Sequence, residues 1–138
     1  MIDKNANESY QEWRDRTIDK ISPSFCGAKW YNSTIWLNSG STASCHHPPA
    51  HKIPLEEVQK NFKAIHNTNY KKMVRKQMLE GERPKECEYC WKVEDLGKDY
   101  VSDRTYKSVI YKENDLNLCK SKYSYTEDVP LKTLEIAF

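Results

Sequence analysis

Cys87-Glu88-Tyr89-Cys90 narrows what this chain can build more than any other feature in it. At the start of a helix, side chains three residues apart project toward nearly the same face, so both sulfurs can reach one metal. Two further cysteines, Cys26 and Cys45, flank a segment that reads as a β-hairpin. Residues Trp30 to Leu37 are rich in aromatic and β-branched side chains, Asn38-Ser39-Gly40 supplies turn chemistry, and Ser41 to Cys45 can pair back. A hairpin at this place draws Cys26 toward Cys45. Together Cys26, Cys45, Cys87 and Cys90 supply the four thiolates of a closed tetrahedral zinc site or of a cubane iron–sulfur cluster.

Spacing leans between the two. Zinc ribbons offer two knuckles of the C-x2-C kind, whereas here one pair is a knuckle and the other is separated by eighteen residues. His46, His47 and His51 keep zinc open, because mixed Cys/His sets are common zinc shells. Read for themselves, His46 and His47 are neighbours of the site or surface residues. A thioredoxin-type redox role for Cys87 and Cys90 requires a preceding strand in a βαβ setting, and only helix and loop sequence precedes Cys87. Cys119 lies in a polar, unpatterned stretch and reads as an incidental thiol.

Composition favours a stapled domain. The chain has 138 residues, 38% apolar and 30% charged, with nine Tyr and four Trp: too aromatic for disorder, too polar for a large core. The net charge of +2 carries no strong nucleic-acid signal, and Lys71, Lys72, Arg75 and Lys76 read as the solvated face of a helix. No apolar leader and no run of membrane-spanning length is present, which points to a cytoplasmic protein with reduced thiols. An odd count of five cysteines also argues against a fully paired disulfide framework.

The expected fold class is α+β: a small hairpin and several helices around a four-cysteine metal site. Tyr10, Trp13, Ile18 and Ile21 predict a helix over Glu8 to Lys20, closed by Ser22-Pro23. His47 to Pro54, with three prolines, predicts a loop. Leu55, Val58, Phe62 and Ile65 repeat as a helical stripe. Asn67 or Thr68 can cap the next helix, which carries Tyr70, Met73, Val74 and Met78 and ends near Gly81. Tyr89, Val93, Leu96 and Tyr100 form a third stripe. The expected core around the cluster is Trp30, Ile35, Leu37, Val58, Phe62, Val93 and Leu96. Leu134, Ile136 and Phe138 alternate with Glu135 and Ala137, the pattern of a strand with one buried face.

Four blocks also resemble radical S-adenosylmethionine proteins with an N-terminal twitch/SPASM-like segment, a group common in phage and bacterial genomes. Phe25-Cys26-x3-Trp30 is similar to the group's opening F-C-x-x-x-W, and Gly40-x4-Cys45 to its G-x4-C, often followed there by a second Cys where this chain has His46. Met73-x-Arg75-x2-Met78-Leu79-x-Gly81, Cys87-x2-Cys90-x3-Glu94-x2-Gly97 and Ser102-x-Arg104 resemble its third block. Leu134-Glu135-Ile136-Ala137-Phe138 looks like the first strand of the radical barrel.

The resemblance implies that Cys26, Cys45, Cys87 and Cys90 each ligate an auxiliary 4Fe–4S cluster. The implied layout is an N-terminal helix (1–22), a twitch/SPASM-like metal-binding domain (23–110), a linker (111–130) and a first barrel strand (131–138). The group's C-x3-C-x2-C, which holds the catalytic cluster beside S-adenosylmethionine, is absent, so the chain reads as a fragment that is not catalytic alone. The implied role is the cluster-binding portion of a larger enzyme, holding a peptide-like substrate or relaying electrons, with a radical core domain or chain as partner. The last strand would then be poorly packed or borrowed by the hairpin. The competing reading is a zinc-stapled, non-enzymatic interaction domain.

Overall fold

Ser9 opens the first helix with a reciprocal cap. Its Oγ accepts from the Glu12 N–H at 3.0 Å, and the Glu12 carboxylate accepts from the Ser9 N–H at 3.0 Å. A computed structural model describes residues 3–138, and in it this helix is α1 (Tyr10–Arg16). The single helix expected over Glu8 to Lys20 breaks at Thr17, whose φ of −118° and ψ of −87° lie outside helical values. A second short helix, α2 (Ile18–Ile21), follows. The break turns Trp13, Ile18 and Ile21 together into the core.

The hairpin forms as expected, except that Trp30 and Tyr31, read as part of its first strand, are helical. After the short helix α3 (Ala28–Tyr31), β1 (Asn32–Trp36) and β2 (Ser41–Ala43) pair antiparallel, with Thr34 opposite Ala43 and Trp36 opposite Ser41. Gly40 takes φ +64° in the turn, a conformation that L side chains rarely adopt. The proline-rich loop carries a two-residue strand, β3 (His51–Lys52), on the far side of β2. β4 (Thr133–Ala137) lies parallel to β1, with Ser33 opposite Leu134 and Ile35 opposite Ile136. The sheet order is therefore β3-β2-β1-β4, an open mixed sheet in an α+β fold.

Two expectations about β4 come out together. The hairpin does borrow it, and its apolar face stays open: Leu134 is 48% exposed, Ile136 52% and Phe138 89%. The burial expected from the alternation is absent because β4 has one neighbour and the Ser33–Ile35 face beside it borders a groove of about 600 Å³.

The core is not the one the stripes predict. It is built from Trp13, Ile18, Phe25, Trp30, Tyr31, Met78, Trp91, Leu116 and Cys119. Of the expected set only Trp30 is fully buried; Ile35, Val58 and Val93 are half-buried, and Leu37, Phe62 and Leu96 are exposed, Phe62 by 80%. The stripe over Leu55 to Ile65 assumed one continuous helix. Instead α4 (Leu55–Lys60) stops at Asn61, whose Oδ1 accepts from Lys63 N–H and starts a separate 3₁₀ turn, Phe62–Ile65. That change of axis turns Phe62 outward.

In α5 (Asn69–Leu79), capped by Thr68 Oγ1 on Lys71 N–H, the expected solvated basic face is overturned for two residues. Lys71 is 2% exposed and Arg75 0%. Arg75 spends its guanidinium on the Lys29 and His66 carbonyls and Asn67 Oδ1, at 2.8 to 3.0 Å. Lys71 Nζ donates to Ser33 Oγ, Thr42 Oγ1 and the Ile65 carbonyl. The remaining helices are α6 (Glu88–Glu94), α7 (Asp103–Ser108) and α8 (Glu113–Ser121). α8 occupies the stretch read as a linker and seats Leu116 and Cys119 in the core.

These placements set two measurable outcomes. Leu116→Ala should cost about 3 kcal/mol of unfolding free energy, whereas exposed Phe62→Ala should stay within about 0.5 kcal/mol. Equal losses in denaturant unfolding would contradict the α8 packing.

The second outcome concerns pH. Ser33 Oγ donates to His66 Nδ1, and His66 Nε2–H donates to the Trp30 carbonyl, each at 2.7 Å, so both ring nitrogens are committed in the neutral imidazole. Burial, then the charges of Arg75 and Lys71, push the His66 pKa from 6.5 down to about 3. Between those values the unfolded chain binds the extra proton, so acid removes stability, at up to about 1.4 kcal/mol per pH unit. The stability advantage of wild type over His66→Gln should shrink as pH falls from 6.5 toward 4. An advantage that does not change with pH would contradict a neutral, committed His66.

Candidate metal centre

Each cysteine is delivered by a different local device. Cys26 precedes α3 on a segment held from three sides: Arg104 Nη1 donates to the Phe25 carbonyl at 2.9 Å, Arg75 Nε to the Lys29 carbonyl at 2.8 Å, and Gly27 N–H to Ser108 Oγ at 2.8 Å. Gly27 sits so close to α8 that a Cβ there would lie 2.7 Å from Leu116 Cδ2. Cys45 leaves the end of β2. Pro84 opens a 3₁₀ turn, Lys85–Cys87, that runs into α6, and this turn-to-helix step carries Cys87 and Cys90. Trp91 Nε1 donates to the Pro84 carbonyl at 2.8 Å and locks the step.

All four of these cysteines are buried and unpaired by disulfide, and they line one enclosed cavity of about 20 Å³ together with Lys29, His47, Met78, Trp91, Arg104 and Lys107. Burial pushes the Cys45 and Cys90 thiols up to about 11 and the Cys87 thiol up to about 12. A metal that binds here must therefore displace thiol protons.

Tetrahedral zinc with Zn–S bonds of about 2.3 Å holds its sulfurs about 3.8 Å apart. Among the described residues no three cysteine sulfurs lie within 4.8 Å of one another. A cluster in which each thiolate binds a different iron spreads its ligands wider than one zinc ion does.

Cations surround the thiols. Lys29 is 2% exposed and its ammonium pairs with Glu86, which also accepts from the Tyr70 hydroxyl. Desolvation pulls Lys29 down, but Cys87, Glu86 and Cys45 outweigh it and raise its pKa, so it stays charged. Arg104, 3% exposed, forks onto Glu94 at 2.7 and 3.0 Å and reaches Asp19 at 2.7 Å. Lys29 had no signal in the sequence. Arg75, Glu94 and Arg104 had one, since they belong to the blocks that carry the resemblance.

The remaining candidates lie elsewhere. His46 is exposed and outside the lining, while His47 borders the cavity on one side. His51 lies on β3 and meets Thr68 Oγ1 at 3.0 Å. Cys119 is neither incidental nor a cavity residue: it is fully buried, its sulfur 3.6 Å from the Asp115 carbonyl. Comparison with family models, with curated proteins and with solved structures finds no match to this chain.

If the four thiols act as one shell, Cys26→Ala, Cys45→Ala, Cys87→Ala and Cys90→Ala should each release most of the bound metal, while Cys119→Ala should leave metal content unchanged and cost only stability. Metal analysis of the five purified variants checks this. Loss of metal in Cys119→Ala with retention in Cys45→Ala would refute the ligand set.

Proposed function

We propose that this chain is the auxiliary iron–sulfur portion of a radical S-adenosylmethionine protein, with Cys26, Cys45, Cys87 and Cys90 each holding one iron of a 4Fe–4S cluster. The observation that carries the reading is four buried thiols around one cavity, with no three of their sulfurs within 4.8 Å of one another among the described residues. The resemblance of four ordered sequence blocks supports it. So does the fact that the third block's Arg75, Glu94, Ser102 and Arg104 are the residues that hold the cysteine segments in place.

When bound, the cluster would supply one-electron chemistry. The chain's own part is to fix the four ligands, exclude water and balance charge. Four thiolates leave no iron free to take S-adenosylmethionine, so the role is electron relay or the holding of a peptide-like substrate rather than radical generation. The radical core then belongs to a partner domain or chain. The free edge of β4 and the exposed Leu134, Ile136 and Phe138 offer that partner a strand to pair with and an apolar face to cover.

Anaerobic reconstitution tests the reading. The protein should turn brown and hold iron and sulfide in the proportion of a 4Fe–4S cluster. Lys29→Met removes a buried positive charge from the wall of the thiol cavity, and the reduction potential should fall, because the reduced cluster carries one more negative charge. A colourless product that retains zinc would overturn the iron–sulfur reading in favour of the stapled interaction domain. An unchanged potential in a folded Lys29→Met protein would overturn the charge-balancing role.

A further inference from the structure

Immediately beyond Cys45 the chain turns two imidazoles toward a carboxylate. Ring nitrogens of His46 and His47 and a carboxylate oxygen of Asp103 all lie within 4.8 Å of one another. No cysteine sulfur joins the group within that limit, so it is separate from the thiol cavity although His47 borders both.

Contacts inside and outside the group hold it in place. Asp103 is the first residue of α7, and the residue before it, Ser102, donates to Glu94 Oε2 at 2.6 Å, which ties the start of α7 to α6. His47 Nε2 meets Asp103 Oδ2 at 2.5 Å. The His47 ring lies between two others: Tyr89 stacks on it at 4.1 Å and 13°, and His46 lies 4.1 Å away at 44°. His47 is thus oriented by packing as well as by its hydrogen bond. The His47 and Asp103 side chains are 17% and 35% exposed, and His46 is open to solvent, so an ion can enter without rearrangement of the core.

We infer that His46, His47 and Asp103 form a second, mononuclear site for a divalent transition metal. Two imidazoles and one carboxylate suit zinc, cobalt, nickel or ferrous iron over calcium or magnesium, which prefer all-oxygen shells. Three protein ligands on one side leave the outward positions to water or to an exogenous ligand. The sequence alone sets these histidines in competition with the cysteines for one zinc ion. The geometry assigns them to a metal of their own, one peptide step from Cys45, so consecutive residues feed two neighbouring sites. This inference does not depend on what the four cysteines hold.

Cobalt(II) separates the two sites, because thiolate ligation gives an intense charge-transfer band that nitrogen and oxygen ligation lacks. The full chain is first assayed anaerobically for iron, sulfide and zinc, then titrated with cobalt(II). The expected result is one added cobalt per chain with d–d bands and no thiolate band. His46→Gln and Asp103→Asn should each weaken that binding by about tenfold or more, at unchanged iron and sulfide content. With the cysteines occupied, no added cobalt, a thiolate band that disappears in Cys45→Ser, or binding indifferent to His46→Gln would each overturn the second site; with the cysteines empty they supply a thiolate band of their own, and the second site is overturned if no further cobalt binds without that band or if total uptake is indifferent to His46→Gln. Absence of iron and sulfide would strike only the cluster reading and would leave the cobalt result to be judged alone.

Discussion

The rest of this fold depends on two fully buried guanidiniums that grip one short segment from opposite sides. Arg104 takes the Phe25 carbonyl and Arg75 takes the Lys29 carbonyl, and between those residues lie Cys26, Gly27 and Ala28. Neither grip is a surface ion pair of small value. Arg104 is neutralised by Glu94 and Asp19, whereas Arg75 donates to carbonyl and amide oxygens. A buried cation satisfied in this way is costly to strip of a partner, because each oxygen it leaves is then buried without a donor. The segment is therefore fixed in position as well as stabilised. Asn67 extends the grip: its Oδ1 accepts from Arg75 and from Val129 N–H, which anchors the chain just before β4.

This explains which parts of the structure could be read from the sequence. The hairpin, its glycine turn, the Thr68 cap and the turn-to-helix step at Cys87 are written in local chemistry, and each forms as expected. Arg75 and Lys71 were misread because a basic run on a helix is ordinarily solvated, and nothing local reports that carbonyls wait for them across the core. The stripe from Leu55 to Ile65 failed for the opposite reason. A single Asn side chain redirected the backbone at Asn61, and periodicity presumes a continuous axis. α8 escaped notice because it buries only Leu116 and Cys119 of its nine residues, too few to mark a face.

The four cysteines were legible by count and spacing, and the cavity gathers them. Their surroundings were not legible, and these surroundings bear on the chemistry most. A chain with so few apolar residues to spare buries Lys29, Lys71, Arg75 and Arg104 instead. Two of these cations, Lys29 and Arg104, face the thiols. The same economy that makes the apolar core small therefore gives the sulfur site a positive wall.

Anionic contents would suit that wall. With neutral thiols, Lys29 is balanced by Glu86 alone, and Glu86 already shares itself with the Tyr70 hydroxyl. Burying an ammonium for one shared carboxylate is unfavourable unless further negative charge lies close by. Metal-bound thiolates at Cys87 and Cys45 would supply that charge beside Lys29. Metal loading and folding would then be coupled in both directions. The cations lower the cost of ionising four buried thiols, and the ionised thiols remove the cost of the buried cations. A single structural zinc would carry the same thiolate charge, so the positive wall suits either occupant of the four-cysteine cavity.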